Sequence, residues 1–170
     1  MTYSIDQVNQ MGQAAFVALF GAVFEETPGV ASRVWCDRPF QNVAALHRQM
    51  VAVVEKMTTA EQVKLIQAHP ELGKRGQMAE ASVQEQAGAG LSQLNADDYE
   101  RIQALNHAYR EKFGFPFVMA VKGLNHSDIL AAFESRLAGD ETVERARSLS
   151  EIYKIARFRL DDLVSKRRAT

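Results

Sequence analysis

The chain is short of the residues that staple a fold or ligate a metal. Its 170 residues include one cysteine, Cys36, which excludes an intramolecular disulfide and a cysteine-rich zinc site. A lone thiol fits a reducing compartment, so a cytoplasmic location is expected. No charge of one sign is in excess. Lys and Arg number 20 against 21 Asp and Glu, so composition gives no argument for a nucleic-acid partner. Long hydrophobic runs are missing too. AAFVALF (14–20) and FVMAV (117–121) are far too short to span a bilayer, so no membrane partner is expected. The opening MTYSIDQVNQ has neither a basic n-region nor an apolar h-region, and no signal peptide is expected. There is no repeat, no GxGxxG, no phosphate-binding loop, no nucleophile elbow and no CxxC. None of the four histidines has the i+4 partner of an H-E-x-x-H zinc site.

What is present is ordinary globular composition, 46% hydrophobic and 24% charged, in a chain long enough for one domain with a real core. Apolar spacing is mostly helical. Ser4 with Gln7, and Thr58 with Glu61, have capping-box spacing. Phe16, Leu19, Phe20 and Val23 share a face until Pro28-Gly29 breaks the run. Val43, Leu46, Met50, Val51 and Val54 predict a helix over 41–56. The helix opened by Thr58 runs up to Pro70, and 70–81 reads as loop. Ser82 with Glu85 again has capping-box spacing, before a short helix. Asn95 predicts a long helix ended by Gly114, Ser127 one to about Leu137, and Asp140 one through Ile152, Ile155, Phe158 and Val164. FGFPFVMAVKG (113–123) breaks the rhythm, and no pair of alternating strands appears. The expectation is all-α: residues 1–170 as a single globular domain of about seven to eight helices, without a β-sheet.

Few side chains stand out as chemistry. His47, His107 and His126 read as structural. His69 sits at a helix stop directly before Pro70, which disfavours helical backbone in the residue preceding it. A helix C-terminus favours imidazolium, and a histidine titrating near neutrality suits proton transfer. By position alone, capping of the last carbonyls is the commoner role. Glu85 could simply cap its own helix; otherwise Ser82, Glu85 and Gln86 offer a hydroxyl, a carboxylate and an amide to a polar ligand. Arg159 or Arg157, about 200° apart on one helix, could present a planar cation to a carboxylate. PFVMAV (116–121) leaves backbone groups in need of partners, which an amide-rich ligand could supply. Two other classes fit the same residues: a metal-assisted hydrolase of a small amide substrate using His69, Glu71 and Glu85, and a non-enzymatic helical adaptor. The terminal SKRR (165–168) reads as a solvated tail.

Four blocks, HPELG (69–73), SVQEQAGAGL (82–91), FGFPFVMAVKG (113–123) and EIYKIARFRL (151–160), together resemble the signature segments of the OHCU decarboxylase family. That family acts on 2-oxo-4-hydroxy-4-carboxy-5-ureidoimidazoline (OHCU) and releases CO2 and (S)-allantoin, the last step of urate oxidation in purine catabolism. The resemblance covers nearly the whole chain in order. It implies an all-α, cofactor-free enzyme with no metal, typically a homodimer. It also implies residue roles: His69, Glu85 and Arg159 catalytic, and Pro70, Ser82, Val83, Gln84, Glu85, Gln86, Phe117, Val118, Met119, Ala120 and Val121 substrate-binding. Arg159 is preferred to Arg157 because it completes the family's I-A-x-x-R-L pattern.

Overall fold

The computed structural model describes residues 2–73 and 80–165. Half of the loop expected over 70–81, with the Lys74-Arg75 pair in it, and the tail beyond Ser165 lie outside the described residues. Among the described residues there are nine α-helices and two 3-10 turns, with no strand. Contacts divide the chain into two compact units. The first holds residues up to Ala68 and those from Tyr153 onward; the second runs from His69 to Ile152.

The first unit contains α1 (Ile5–Gln10), α2 (Gln13–Phe20), α3 (Gly29–Val34), α4 (Val43–Glu55), α5 (Thr59–Gln67) and the later part of α9 (Glu141–Leu163). Both expected capping boxes are formed. The Ser4 backbone N–H donates to Gln7 Oε1 at 2.8 Å and the Gln7 N–H to Ser4 Oγ at 3.2 Å. The Thr58 N–H donates to Glu61 at 2.8 Å and the Glu61 N–H to Thr58 Oγ1 at 3.3 Å. The Thr58 N–H, together with the Thr58 hydroxyl that donates to the same carboxylate at 2.9 Å, holds the Glu61 carboxyl below its usual range. Each reciprocal pair satisfies two N–H groups that a helix start leaves open. Asn42 caps α4, which buries Leu46, Met50 and Val54 at i, i+4, i+8. Helix α3 packs against α2 and α4. The Phe16 ring meets Phe20 and Phe40, at centroid separations of 4.8 and 6.2 Å. A fully buried side chain of this size contributes about 1.5–3 kcal/mol. Tyr3 forms an isolated parallel bridge with Val164. It donates to Leu163 C=O at 2.9 Å and accepts from the Ser165 N–H at 2.7 Å.

Helix α3 exceeds the expected count of seven to eight. Pro28-Gly29 reads as a breaker, yet here it starts a helix, with Pro28 at the cap and Gly29 first. The missing proline N–H costs nothing where no intrahelical bond would be made.

The second unit contains α6 (Glu80–Gly88), α7 (Ala96–Phe113), α8 (His126–Leu137) and the first part of α9. Asn95 caps α7 through the Asp98 N–H, and Gly114 ends it in the left-handed conformation at φ 74°. Helix α8 starts earlier than Ser127 implies. Asn125 and Asp128 form the capping box, so His126 is the first helical residue. Ser82 is likewise no cap: α6 already runs at Glu80, and Ser82 and Glu85 sit within it. Tyr109 is the hub of this unit's aromatic core. It packs against Phe113, Phe115, Phe117 and Phe133, with ring centroids 4.5 to 6.1 Å away. Phe117 and Phe133 stack at 3.9 Å. Residues 114–125 join α7 to α8 without helix or strand, as the broken rhythm of 113–123 predicts.

Candidate active site

The turn after α5 is built by polar side chains of the second unit. Ala68 ends α5 and His69 follows, buried at 5% exposure. Four residues later the backbone turns through Gly73 at φ 68°, a region that glycine enters without a steric penalty. A Cβ there would come to 3.1 Å from Ile102 Cγ2. Gln86 of α6 spans the turn: its Oε1 accepts the Gly73 N–H at 2.9 Å and its Nε2 donates to Glu71 C=O at 3.4 Å. From α7, Asn106 donates to Leu72 C=O at 2.8 Å. The Glu71 carboxylate is ion-paired with Arg110. His69 and Pro70 therefore enter a turn whose exit is clamped by buried amides.

Gln86 also brings α6 against this turn. Within α6, Ser82 and Gln86 are buried, Glu85 is half-buried, and Val83 and Gln84 are exposed. Residues three and four apart share a helix face, so Ser82, Glu85 and Gln86 lie together on the side that meets the turn. Val83 and Gln84 point elsewhere.

Segment 117–121 belongs to the same unit. Phe117, Val118 and Val121 are buried, while Met119 and Ala120 are half-buried. Arg136 of α8 donates to Val118 C=O at 2.8 Å. The Ala120 N–H donates to the Glu151 carboxylate at 3.0 Å. Arg136 is part of a buried cluster. Its Nε donates to Glu144 at 2.9 Å, another nitrogen lies 3.3 Å from Ser148 Oγ, and its guanidinium covers the Phe117 ring at 4.4 Å. Tyr109 donates to the same Glu144 oxygen at 2.5 Å. Burial, with that hydrogen bond to a carboxylate, pushes the Tyr109 phenol well above its usual range.

Arg159 lies in the first unit and turns inward. Its guanidinium bonds Glu25 at 2.6 Å and the carbonyls of Ala22 and Val23 at 3.2 and 3.4 Å. Arg157 points elsewhere and pairs with Asp161, one turn on, at 3.0 Å. The opposed directions expected of these two arginines are thus observed. Glu25 escapes sequence reading, since FEETPG looks like any polar turn. The one signal is structural: Glu25 takes φ 52°, which non-glycine residues adopt rarely. Arg136, Glu144 and Glu151 escape it as well, because their partners are distant in sequence.

The other histidines have structural places. His47 bonds Tyr153 C=O at 2.8 Å, and burial holds its pKa below the usual 6.5. His126 lies 3.6 Å from Asp98, and His107 is exposed. Among the described residues no group of three or more His, Cys, Asp or Glu side chains is gathered as a metal ligand set. No described helix is long and apolar enough to cross a membrane.

Comparison with known proteins adds the family. Residues 9–161 match the family model described as OHCU decarboxylase. A Haloferax volcanii protein named 2-oxo-4-hydroxy-4-carboxy-5-ureidoimidazoline decarboxylase is 43% identical over 162 residues, covering 95% of this chain and 96% of that protein. The Bacillus subtilis uric acid degradation bifunctional protein PucL is 39% identical over 168 residues, 99% of this chain and 34% of PucL. A crystal structure of (S)-allantoin synthase shares the fold at a TM-score of 0.80 and 24% identity, over 96% of this chain and 54% of that one.

Proposed function

The chain belongs to the OHCU decarboxylase family, and from that premise we propose that it decarboxylates OHCU stereospecifically to (S)-allantoin without a cofactor. The observation that carries this reading is the match over residues 9–161, which includes every block bearing a candidate residue. Because it runs through both units, it also supports reading 1–170 as a single decarboxylase domain. The kinship with a uric acid degradation protein supports a role in urate oxidation.

The substrate carries a hydroxyl and a carboxylate on one ring carbon, next to a carbon–nitrogen double bond bearing the ureido group. When the bond to the carboxylate breaks, CO2 leaves. The released electron pair forms a carbon–carbon double bond, and the π pair of the carbon–nitrogen double bond moves onto the ring nitrogen, which takes a proton. The enol then loses its hydroxyl proton to become the ketone, and the ureido-bearing carbon gains a proton on one face. The substrate is its own electron sink, the task a pyridoxal or thiamine cofactor would otherwise perform. His69 is the acid–base group, with Glu85 its partner at the hydroxyl or ureido group. Arg159 holds an anionic or carbonyl part of the substrate. The backbone of 117–121 orients the planar amides so that the carboxylate stands out of the ring plane, in line with the acceptor π system.

The clamped turn supports the role of His69: a proton-transfer group must be held within hydrogen-bond reach of its target. The metal-assisted alternative loses support because Glu71 is already paired with Arg110. A homodimer follows from the family resemblance, and light scattering tests it. The exposed free Cys36 supports a reducing, cytoplasmic setting.

The test is to generate OHCU from urate with the two preceding activities and follow (S)-allantoin by circular dichroism. Wild-type protein should accelerate its formation and fix its chirality. His69→Ala and Glu85→Ala, folded as wild type, should lose that acceleration; wild-type rates in both would overturn the mechanism.

A further inference from the structure

We propose that Arg136 and Glu151 are positioning residues that aim the backbone N–H and C=O of Met119 at the ligand as a donor–acceptor pair. This rests on the reading of 117–121 as a substrate-binding segment and names which of its groups do the binding.

The argument starts from two peptide planes. Arg136 holds Val118 C=O, and that carbonyl shares its peptide unit with the Met119 N–H. Glu151 holds the Ala120 N–H, which shares its peptide unit with Met119 C=O. In a planar trans peptide the N–H and C=O point in opposite directions. Fixing the two outer groups against protein therefore turns both polar groups of Met119 the other way. Neither has a hydrogen-bond partner among the described residues, and Met119 is half-buried. One residue thus offers a donor and an acceptor side by side, as a strand residue does to its opposite number. A planar ligand edge with an adjacent amide N–H and C=O, such as a ureide or cyclic imide, is complementary to that pair.

The anchors are stiff. Glu151 is 4% exposed and Arg136 9%. Arg136 is locked by Glu144 and Ser148, and Glu144 by Tyr109. Phe117, just before the gripped carbonyl, packs against both the Arg136 guanidinium and Phe133 of the same helix. Burying an ionised group is costly unless it is paired and hydrogen-bonded. A surface loop needs no such investment, whereas a backbone that must present two groups in a set direction does.

The experiment is amide hydrogen exchange by NMR on the intact protein, with and without (S)-allantoin as the non-reacting probe. In wild type the Ala120 amide should be protected in both states, and the Met119 amide only with the probe. A Met119 amide indifferent to bound (S)-allantoin would overturn the proposal. Glu151→Ala should deprotect Ala120 and weaken (S)-allantoin binding on the order of tenfold. It should raise KM more than it lowers kcat. Glu151→Gln, whose amide oxygen still accepts from Ala120, should recover most of the loss, and Arg147→Ala, which removes only an exposed partner 3.5 Å from the other Glu151 oxygen, should keep wild-type affinity. Unchanged KM and affinity in Glu151→Ala, with wild-type turnover intact, would refute the positioning role and leave the decarboxylase reading standing. Wild-type protein that neither binds (S)-allantoin nor turns over OHCU would overturn both.

Discussion

Replacing Glu25 with alanine should destabilise the first unit by about 3–5 kcal/mol. The Arg159–Glu25 pair is 2.6 Å long, with side chains only 7% and 4% exposed. The substitution removes that carboxylate from the buried guanidinium, which keeps the Ala22 and Val23 carbonyls. At about 2–4 °C per kcal/mol for a chain of this length, Tm should fall by roughly 6–20 °C. The backbone supplies a second, separable effect. Glu25 has φ 52°, where a residue with a Cβ is strained by about 1–2 kcal/mol and glycine is not. Glu25→Gly loses the same carboxylate yet relieves that strain, so it should be about 1 kcal/mol more stable than Glu25→Ala. Urea unfolding followed through Trp35, the only tryptophan and in the same unit, measures both. A loss below about 1 kcal/mol, the range of a surface ion pair, would refute the buried-pair argument. Equal stability of the alanine and glycine variants would refute the strain argument. Adding Arg159→Met to Glu25→Ala should cost less than the sum of the two single changes, since both act on the same ion pair.

Arg159→Ala should impair turnover far more than Arg157→Ala, measured in the coupled urate assay; the reverse would exchange their roles. Gly73→Ala should lower both stability, by about 1 kcal/mol or more, and turnover, because it strains the turn that carries His69; normal activity would detach that turn from function. His47 should make stability sensitive to acid. Its folded pKa lies below the usual 6.5, so below that pH the unfolded chain takes up the proton first and the unfolding free energy falls. Above 6.5 both states are neutral and the stability is intact. Urea midpoints across pH 5 to 8, for wild type and His47→Gln, should converge in slope if another group is responsible.

Some of the architecture was legible in short stretches. Capping at Ser4, Thr58, Asn95 and Asp140 depends on residues two or three apart, and the buried face of α4 on a spacing of four. Such signals survive folding because the helix itself brings those residues together. That Arg157 and Arg159 point in different directions was readable for the same reason. Local reading failed where two neighbouring signals compete. Asn125 took the cap that Ser127 could have made, and Glu80 carried α6 past the start that Ser82 offered. Pro28-Gly29, which can end one helix, began another.

By itself the sequence determined the helical class, most helix limits and the family, and it singled out the candidate residues of one turn and three blocks. Only the tertiary structure decided what holds those residues in place. Glu25 meets Arg159 across 134 positions, Glu151 meets Ala120 across 31, and Gln86 meets Gly73 across 13. Each bond satisfies a buried polar group whose partner no periodicity links to it. The requirement that such groups be paired is general, but the partner is chosen by packing, which exists only once the chain has folded.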